Sequence, residues 1–382
     1  MENINPEPWN ISLEERTKEL KQAKAAHKKI AIILYPEQDK ASSFRYRGYN
    51  IYQATKNSKK WQLIYFFLEE ISTVFELISE IDILIFGRIT RWSPEFDRLA
   101  IAAKNNNITT LQDLDDCICG TKYIKDMFNV VSPDFVDQEY WINTCAHYEL
   151  ISYLADGFIV TNDYLGKILS QSHGGKPYKV IKNFLNNEQI KLAQSIGKQN
   201  NSDFRIGYFS GSHTHLTDFE VVYPEILQLL EDNQNFKLII VGMLDLPETA
   251  KKYIEKGQII CRPMVDFLTL EKLQSEVDVN IAPLAENIFA NCKSELKFFE
   301  AGLVKTPTVA SPSYSFSRAI VNNKTGFLCK PGQWYDTITN LYNDTELKDR
   351  IASSAFQSSI ENYSPENNLK QIEKVYDYYA EK

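Results

Sequence analysis

The stretch N291-CKSELKFFEAGLVKTPTVA-S311 (residues 291–311) decides the fold class, because it combines a loop, a short helix and a buried strand. Its pattern predicts a helix that opens at Ser294, where a serine can cap free backbone N–H groups. The same helix is expected to stop at Gly302, because glycine permits a left-handed exit. A buried strand at 306–310 completes the unit, and the positive helix start beside Lys293 would suit a phosphate group.

Lys293 and Glu300 are the two charged residues of this unit that carry chemical meaning. Their spacing places them on one helical face, with Phe298 and Phe299 turned elsewhere. One cation for a diphosphate and one carboxylate for sugar hydroxyls would suit a nucleotide-sugar. An amphipathic helix with two solvated charges explains the spacing equally simply, so both interpretations stay open.

Short β-rich runs alternate with helical stretches on both sides of this unit. Such alternation predicts an α/β protein with parallel sheets, in which two Rossmann-like domains face each other across a cleft. The first series of strands is predicted at 30–35, 63–67, 81–86, 109–114, 157–161 and 179–181. The second series is predicted at 205–209, 237–241, 258–261, 279–283, 306–310 and 326–328. The predicted organisation is a helical extension at 1–28, a first domain at 29–183, a polar linker at 184–204, a second domain at 205–362 and a final helix at 363–382.

Length, charge and composition exclude several classes of protein. A chain of 382 residues exceeds what one core usually serves. A net charge of −8 argues against nucleic-acid binding, which calls for a basic surface. The six cysteines show neither a zinc spacing nor a disulfide framework. The start lacks a secretion signal and no apolar run approaches ~20 residues, so a cytoplasmic location is expected. Lysines of the first helix leave peripheral association with the inner face of a membrane open.

Ligands of parallel sheets bind beyond the carboxyl ends of the strands, so residues that follow strands are the candidates. After the first strand, a predicted loop carries Arg45 and Arg47, which could bind phosphate or an anionic acceptor. The alternative for both is a structural role. Asp113, Asp115 and Asp116 end the fourth strand and are candidates for orienting the acceptor hydroxyl or stabilising positive charge at the anomeric carbon. A helix cap remains the alternative for Asp116.

In the second series, the turn after the first strand is built for backbone contact with phosphate, because small hydroxyl residues precede a helix. Its candidate donor-binding residues are Gly211, Ser212, His213, His215 and Asp218. Two histidines with one aspartate and no nearby cysteine match zinc spacing poorly, so no metal site is expected. Gly242 follows the next strand, where a glycine lets a nucleoside approach the backbone.

Residues 300–311 resemble the Glu-Ala-x-x-x-Gly-x-Pro-Val-x-Ala-Ser segment of GT-B fold glycosyltransferases, family 4 in character. Residues 155–161 and 180–183 resemble the strands that this family has in its first domain. Cys292 stands where the family's first Glu is expected. A bacterial subset of these glycosyltransferases, with the pattern Asn-x-x-Lys-Ser-x-Leu-Lys-x-x-Glu, resembles this chain more closely. The resemblance to that subset implies that Lys293 and Ser294 bind the phosphates.

The resemblance implies a retaining, metal-independent glycosyltransferase that needs no cofactor. Its donor would be a UDP-, GDP- or dTDP-linked sugar, and its acceptor a glycan, a lipid-linked molecule or a protein. The final helix would cross back onto the first domain, and Glu300 would hold the ribose. The predicted catalytic residues are Lys293, Asp113 and Asp115; the predicted donor-binding residues are Gly211, Ser212, His213, His215, Asp218, Gly242, Lys293, Ser294 and Glu300; the predicted acceptor-binding residues are Arg45, Arg47 and Asp116.

The departures from the family pattern support a second hypothesis, a non-catalytic GT-B protein that serves as a binding subunit or chaperone of a partner glycosyltransferase. A sugar epimerase built from two Rossmann units is a third, but no catalytic acid/base set for it can be identified. Homo-oligomerisation also stays open.

Overall fold

Two parallel six-stranded sheets form the frame of the molecule, in a computed structural model that describes residues 4–36, 42–90, 93–128, 138–197, 201–211 and 216–381. The strand order is β2-β1-β3-β4-β5-β6 in the first sheet and β12-β11-β10-β7-β8-β9 in the second. The first sheet contains β1 (Lys29–Tyr35), β2 (Trp61–Phe67), β3 (Ile83–Gly87), β4 (Thr109–Leu114), β5 (Gly157–Val160) and β6 (Tyr178–Val180). The second contains β7 (Phe204–Ser210), β8 (Phe236–Gly242), β9 (Ile259–Arg262), β10 (Val279–Ala282), β11 (Thr308–Ala310) and β12 (Phe327–Leu328). The predicted α/β class with two Rossmann-like units is confirmed.

Helices connect the strands and cover the sheets. They are α1 (Leu13–Ala25), α2 (Ser42–Phe44), a π-helical turn (Arg45–Tyr49), α3 (Asn50–Thr55), α4 (Ile71–Glu76), α5 (Pro94–Asn105), α6 (Ile124–Phe128), α7 (Gln138–Leu154), α8 (Asp163–Ser172), α9 (Asn187–Ser195), α10 (Leu216–Glu220), α11 (Tyr223–Asp232), α12 (Lys251–Glu255), α13 (Phe267–Ser275), α14 (Ile288–Cys292), α15 (Leu296–Leu303), α16 (Phe316–Ala319), α17 (Trp334–Asn343), α18 (Thr345–Tyr363) and α19 (Pro365–Ala380). Short 3₁₀ turns lie at Leu68–Glu70, Ile78–Glu80 and Glu248–Ala250.

The strands are apolar almost throughout, which is why they form parallel sheets covered on both faces. Every residue of β2 is buried, as are all residues of β1 except the first. The predicted strands therefore agree with the observed ones, apart from one or two residues at their ends.

The final helix, α19, returns to the first sheet, as the resemblance implied. The Tyr379 hydroxyl donates to the carbonyl of Phe158 at 2.9 Å, and the Trp61 indole donates to Asp377 at 2.8 Å. The first helix, α1, is fixed to the same sheet by Arg16, which pairs with Glu70 at 2.6 Å. Both ends of the described chain thus pack on the first domain.

The helix in the 291–311 stretch differs from its prediction at both ends. It begins at Leu296 rather than Ser294, and Gly302 lies inside it. The left-handed residue that ends it is Lys305, with φ 56°, and the next amide donates to the carbonyl of Ala301 at 2.9 Å. Gly302 is needed for packing, because a Cβ there would lie 2.4 Å from Ser359 Oγ on α18.

Two segments predicted as irregular contain helices. The predicted loop after β1 continues as α2, the π-helical turn and α3, so Arg45 and Arg47 are buried helical residues and not loop residues. The predicted linker 184–204 contains α9, which Asn186 caps by accepting from the amide of Gln189 at 2.9 Å. Both segments lie where the two sheets meet, and helical structure lets them bury polar side chains with their backbone groups satisfied.

Candidate active site

The strand orders locate the cleft. β1 lies between β2 and β3, and β7 lies between β10 and β8, so each sheet reverses its winding at the carboxyl end of one of these strands. Open parallel sheets bind ligands at such switch points. The side chains that follow β1, β3 and β4 in the first sheet, and β7, β8 and β10 in the second, therefore build the candidate site.

Lys293 lies between α14 and α15 on the second-domain side. Its ammonium group is 3.4 Å from Asp218 Oδ2 and 5.1 Å from the centre of the Phe289 ring. The other oxygen of Asp218, Oδ1, accepts from the amide of Ala285 at 2.9 Å. The structure thus brings together two residues that the sequence predicted for donor binding.

Lys297 is a second cation at this point, and the sequence analysis did not single it out. Its ammonium group lies 4.7 Å from the centre of the Tyr208 ring. Burial and the neighbouring charge of Lys293 lower the pKa of Lys297 to about 8. The charges of Asp218 and Glu300 only partly offset burial and the repulsion between the two ammonium groups, so this pair suits a diphosphate.

The loop that carries Lys293 is held by the first domain. The side-chain amide of Asn162 donates to the carbonyls of Cys292 at 2.9 Å and Lys293 at 3.2 Å. Ser315 also donates to the Lys293 carbonyl, at 2.6 Å, and Asn183 donates to the Ser294 hydroxyl at 3.0 Å. Asn162 and Asn183 of the first domain thus hold the Lys293 backbone and the Ser294 side chain, and Ser315 holds the Lys293 carbonyl from within the second domain.

Arg88, Asp115 and Asp116 form the facing wall. Arg88 donates to Asp115 at 2.7 Å and to Asp116 at 2.8 Å, from a backbone with φ 47° that non-glycine residues rarely adopt. Burial opposes ionisation of Asp115, but Arg88, Arg47 and a hydrogen bond from Ser43 together outweigh it and hold the pKa of Asp115 below its ordinary value. Burial, with Asp115 adding to it, raises the pKa of Asp116. The charge of Lys293 also acts on Asp116, so the two walls face each other.

Asp113 and Arg47 lie deeper in the first domain and not at the cleft surface. Arg47 Nε and Nη2 donate to the two oxygens of Asp113, both at 2.8 Å, and the Arg47 side chain is 1% exposed. Arg47 Nη1 also donates to the carbonyl of Ile181 at 2.6 Å and to Asn183 at 3.1 Å. The charges of Arg47 and Asp113 neutralise each other. Arg47 therefore has the structural role that was the alternative to binding an anionic ligand.

Glu300 and Arg45 meet across the boundary between the domains. Arg45 Nη2 donates to Glu300 Oε1 at 3.1 Å, and the hydroxyl of Tyr46 and the amide of Gln189 donate to the same oxygen. Glu300 is 4% exposed. In this conformation, Arg45 is therefore engaged with a predicted donor-binding carboxylate and not with an acceptor.

The glycines at the strand ends differ from each other. Gly242 has φ 102°, and a Cβ there would lie 1.9 Å from the carbonyl oxygen of Ser210, so only glycine fits. Gly211 is exposed, with open space where a Cβ would be. The open space beside Gly211 leaves the backbone there accessible to a ligand, whereas Gly242 lets its backbone pack closely against Ser210. Ser212, His213 and His215 lie outside the described residues.

Cys292 occupies the position at which the family resemblance places a first glutamate. It is the last residue of α14, fully buried, and packs with Leu114, Cys117 and Phe289. A hydrogen bond with Cys117 and burial raise the pKa of its thiol well above the ordinary value. This thiol is inert and turned into the apolar packing, so it offers no group to a sugar.

Three site residues were missed from sequence: Arg88, Asn162 and Lys297. Arg88 and Asn162 follow the ends of β3 and β5, so the rule that selected Arg45 and Asp113 could have found them. Lys297 is the second lysine of the 291–300 pattern, and only its closeness to Lys293 reveals its meaning.

A groove of about 850 Å³ lies at the opposite edge of the first sheet, beside Thr109, Asp156 and Tyr379. It adjoins the amino ends of β4 and β5, where parallel sheets do not usually bind ligands. None of the candidate site residues described above lines it, so we assign the site to the cleft.

Two searches gave no candidates among the residues that the structure describes. No group of three or more His, Cys, Asp or Glu side chains there could hold a metal ion. No helix in the same ranges has both the length and the apolar character needed to cross a bilayer.

Comparison with known proteins agrees with this geometry. Residues 204–344 match the family described as glycosyl transferases group 1. A search of curated protein sequences found no match.

Solved structures with the same fold include HepE from Anabaena in complex with UDP and glucose, with TM-score 0.58 and 16% identity over 92% of this chain and 100% of that one. A glycosyltransferase from Rickettsia africae has TM-score 0.62 and 16% identity, over 92% and 98% of the two chains. Sucrose-phosphate synthase from Thermosynechococcus elongatus has TM-score 0.63 and 13% identity, over 92% and 99%. The predicted GT-B fold is therefore confirmed, and the family match over residues 204–344 bears out the predicted glycosyltransferase.

Proposed function

We propose that the protein transfers a sugar from a nucleotide-sugar to a glycan, glycolipid or glycoprotein acceptor, with retention of configuration and without a metal ion. The observation that carries this proposal is the pair of ammonium groups of Lys293 and Lys297, which lie beside the amino end of α15 and face the Arg88 wall of the first domain. This pair provides positive charge where a donor's diphosphate would sit.

The lysine pair acts on the leaving group. As the glycosidic bond breaks, negative charge develops on the diphosphate, and fixed cations and amides stabilise that charge more than they stabilise the ground state. Lys293, Lys297 and the amino end of α15 would supply this stabilisation. Loss of one such group typically costs ~3 kcal/mol of barrier height, or about a hundredfold in rate.

The two ammonium groups also support metal independence. A divalent ion in other glycosyltransferases neutralises the diphosphate, and two lysines supply the same charge. We therefore expect full activity in excess EDTA, while loss of activity on chelation that added Mg²⁺ restores would contradict this part of the proposal.

Asp115 and Asp116 are the proposed acceptor-side groups, with Arg88 holding them in place. The raised pKa of Asp116 suits a group that exchanges a hydrogen bond with an acceptor hydroxyl. Since Lys293 acts on Asp116, the acceptor would approach from the side of the leaving phosphate, and that direction of attack supports retention. Asp113, sealed by Arg47, would act only by positioning this wall.

UDP-sugars are the first donors to test, because the structurally similar HepE was determined with UDP-glucose. Gly242 would allow the nucleoside to approach the backbone of β8, and Glu300 would bind the ribose. GDP- and dTDP-sugars complete the panel.

The non-catalytic alternative rests on one observation. Cys292 is buried at the place where the family resemblance calls for a sugar-binding glutamate, so the chain has lost one donor contact. A binding subunit or chaperone need not bind nucleotides at all, and calorimetry with UDP, GDP and dTDP separates the two hypotheses.

The test of the proposal is release of nucleoside diphosphate from the donor panel, first with water and then with candidate acceptors. We expect one donor to be used preferentially and the Lys293→Ala variant to be inactive with it. A wild-type protein that neither binds nor cleaves any member of the panel would sink the proposal.

A further inference from the structure

A buried polar cluster lies at the boundary of the two domains, formed by Arg45, Tyr46, Gln189, Glu271 and Glu300. Three of its members, Arg45, Tyr46 and Gln189, donate to one oxygen of Glu300. Glu300 is the carboxylate that the proposed function assigns to the donor ribose. In this conformation, groups from outside the donor domain donate hydrogen bonds to the Glu300 carboxylate.

Arg45 is only partly satisfied in this arrangement. Its guanidinium packs on the rings of Tyr46, at 4.2 Å, and Phe267, at 4.7 Å. Its Nη2 binds Tyr46 and Glu300, but its Nη1 is buried without a hydrogen-bond partner. A buried donor that lacks a partner is destabilising, so a second position that satisfies this N–H group would be favourable.

Glu271 provides a second place for the guanidinium. It follows Phe267 by one helical turn of α13, and therefore lies on the face of that helix that contacts Arg45. Glu271 is 1% exposed, and neither of its carboxyl oxygens has a partner among the described residues. The nearby Gln274 Oε1 is also buried and unpartnered. An unpaired carboxyl group thus lies beside an arginine with an unused N–H group.

The charge state of Glu271 follows from this geometry. Burial, and the negative charge of Glu300 on α15, raise the pKa of Glu271 well above its ordinary value, while Arg45 lowers it. Burial without a partner and this raised pKa both favour a neutral Glu271 while Arg45 remains paired with Glu300. If the guanidinium moved to Glu271, that carboxyl would ionise and release one proton to solvent.

We propose that Arg45 is a gate controlled by the donor: it covers Glu300 in the empty enzyme and passes to Glu271 when ribose hydroxyls take its place on Glu300. This inference rests on the proposed function, because it requires a donor that uses Glu300. It makes Glu271 a positioning residue, which contacts no substrate but holds the gate open.

Calorimetric binding of UDP, GDP and dTDP at pH 7, in two buffers with different ionisation enthalpies, counts the protons released. The wild type is expected to release close to one proton per nucleotide. Glu271→Gln, which resembles the neutral native side chain and should fold, is expected to release none and to bind about tenfold more weakly. Glu248→Gln, a change at an exposed carboxylate, is the matched control and should behave as wild type.

Arg45→Met removes the gate and is expected to bind nucleotide more tightly, again without proton release. In the Arg45→Met background, Glu271→Gln should have no further effect, because the two residues act on one equilibrium. Thermal denaturation confirms that each variant is folded. Weaker binding by Arg45→Met, or an equal effect of Glu271→Gln in both backgrounds, would overturn the gate alone. Failure of the wild type to bind any of the three nucleotides would overturn the gate and the proposed function together.

Discussion

The arginines that follow β1 and the lysines around the start of α15 are both cationic pairs near the cleft, yet the fold treats them in opposite ways. Arg47 makes two bonds with Asp113 and two more with other first-domain groups. Lys297 has an aromatic ring beside it but no ion pair within the described ranges, and its pKa is lowered to about 8. A buried cation with its counter-ion built in supports structure, whereas one that lacks a counter-ion is suited to an anionic ligand.

The two members of each pair also differ in how closely they contact a carboxylate. Arg45 shares its counter-ion, Glu300, with two neutral donors, and Lys293 interacts with Asp218 at 3.4 Å. Both pairings are looser than the two-bond contact between Arg47 and Asp113. The looser pairings involve the residues that our proposals assign to donor binding, because a group that must accept a ligand cannot be fully satisfied by the protein.

The largest expected effect is on stability, in Arg47→Met. Removing the guanidinium leaves Asp113 as an unpaired buried carboxylate, which should lower the free energy of unfolding by about 3–5 kcal/mol. Chemical denaturation measures it, with Arg350→Met on exposed α18 as the control. Adding Asp113→Leu should restore much of the loss. A single variant as stable as wild type would show that Arg47 is not a structural residue.

The next largest effect is on catalysis, in Lys293→Ala. Transfer should fall about a hundredfold or more, since charge on the leaving diphosphate loses a fixed cation. Release of nucleoside diphosphate measures the rate, and circular dichroism checks the fold. Lys324→Ala, at an exposed position of the same domain, is the control. Near-normal turnover in Lys293→Ala would remove this lysine from the proposed mechanism.

The sequence was sufficient for the fold because parallel sheets depend on a local signal. Runs such as 30–35 and 238–241 are apolar at every position, and only strands covered on both faces need that pattern. The ends of helices depend on more. Gly302 predicted the end of α15, but close packing against Ser359 of α18 uses this glycine inside the helix. No local pattern reveals a contact between residues so far apart in the chain.

The site was predicted in part, for a related physical reason. The rule about carboxyl ends of strands led to Asp115, Asp116 and Asp218, and the predicted helix start led to Lys293; the structure places these residues in the cleft. The strand-end rule could not separate these residues from Arg47 and Asp113, which are buried. Their burial depends on the helical segment that follows β1, and the sequence predicts a loop there. Glu300 was selected by resemblance, but its contact with Arg45 joins residues from two domains and has no sequence signature.

A third prediction uses the pH dependence of kcat/KM to test whether the charge of Lys297 contributes to activity. Because kcat/KM reports on the free enzyme, it should fall above pH 8 by about tenfold per pH unit as Lys297 loses its proton. Lys297→Arg keeps its charge and should remain level through pH 9. Identical pH profiles for the two proteins would contradict a role for this charge.

The protonation of Lys297 should also affect stability, which is expected to rise with pH where kcat/KM falls. The pKa of Lys297 is lower in the folded state, about 8, than its ordinary value of 10.5, so the unfolded chain binds more protons between these values. The free energy of unfolding should therefore rise as the pH increases from about 8 to 10.5. Lys297→Met should be more stable than wild type at pH 7, by about 1–3 kcal/mol, and should lose this pH dependence. Urea denaturation at several pH values measures both, and a less stable Lys297→Met would mean that the fold does satisfy this cation.

The smallest expected effect concerns how the lysine pair is positioned. Asn162 caps α8 with its side-chain oxygen, which accepts from Leu165 at 2.9 Å, while its amide nitrogen holds the carbonyl of Lys293. Asn162→Ser keeps the cap and loses the bridge, so kcat should fall about threefold to tenfold with little change in Tm, because the ammonium group keeps its charge but not its fixed position. Asn162→Ala loses both, and should show the same loss of kcat with a further ~1 kcal/mol of stability. If Asn162→Ser is as active as wild type and Asn162→Ala is merely less stable, the residue is only a helix cap. The difference between the two cationic pairs would then lie in their charge environment and not in the contact between Asn162 and the Lys293 carbonyl.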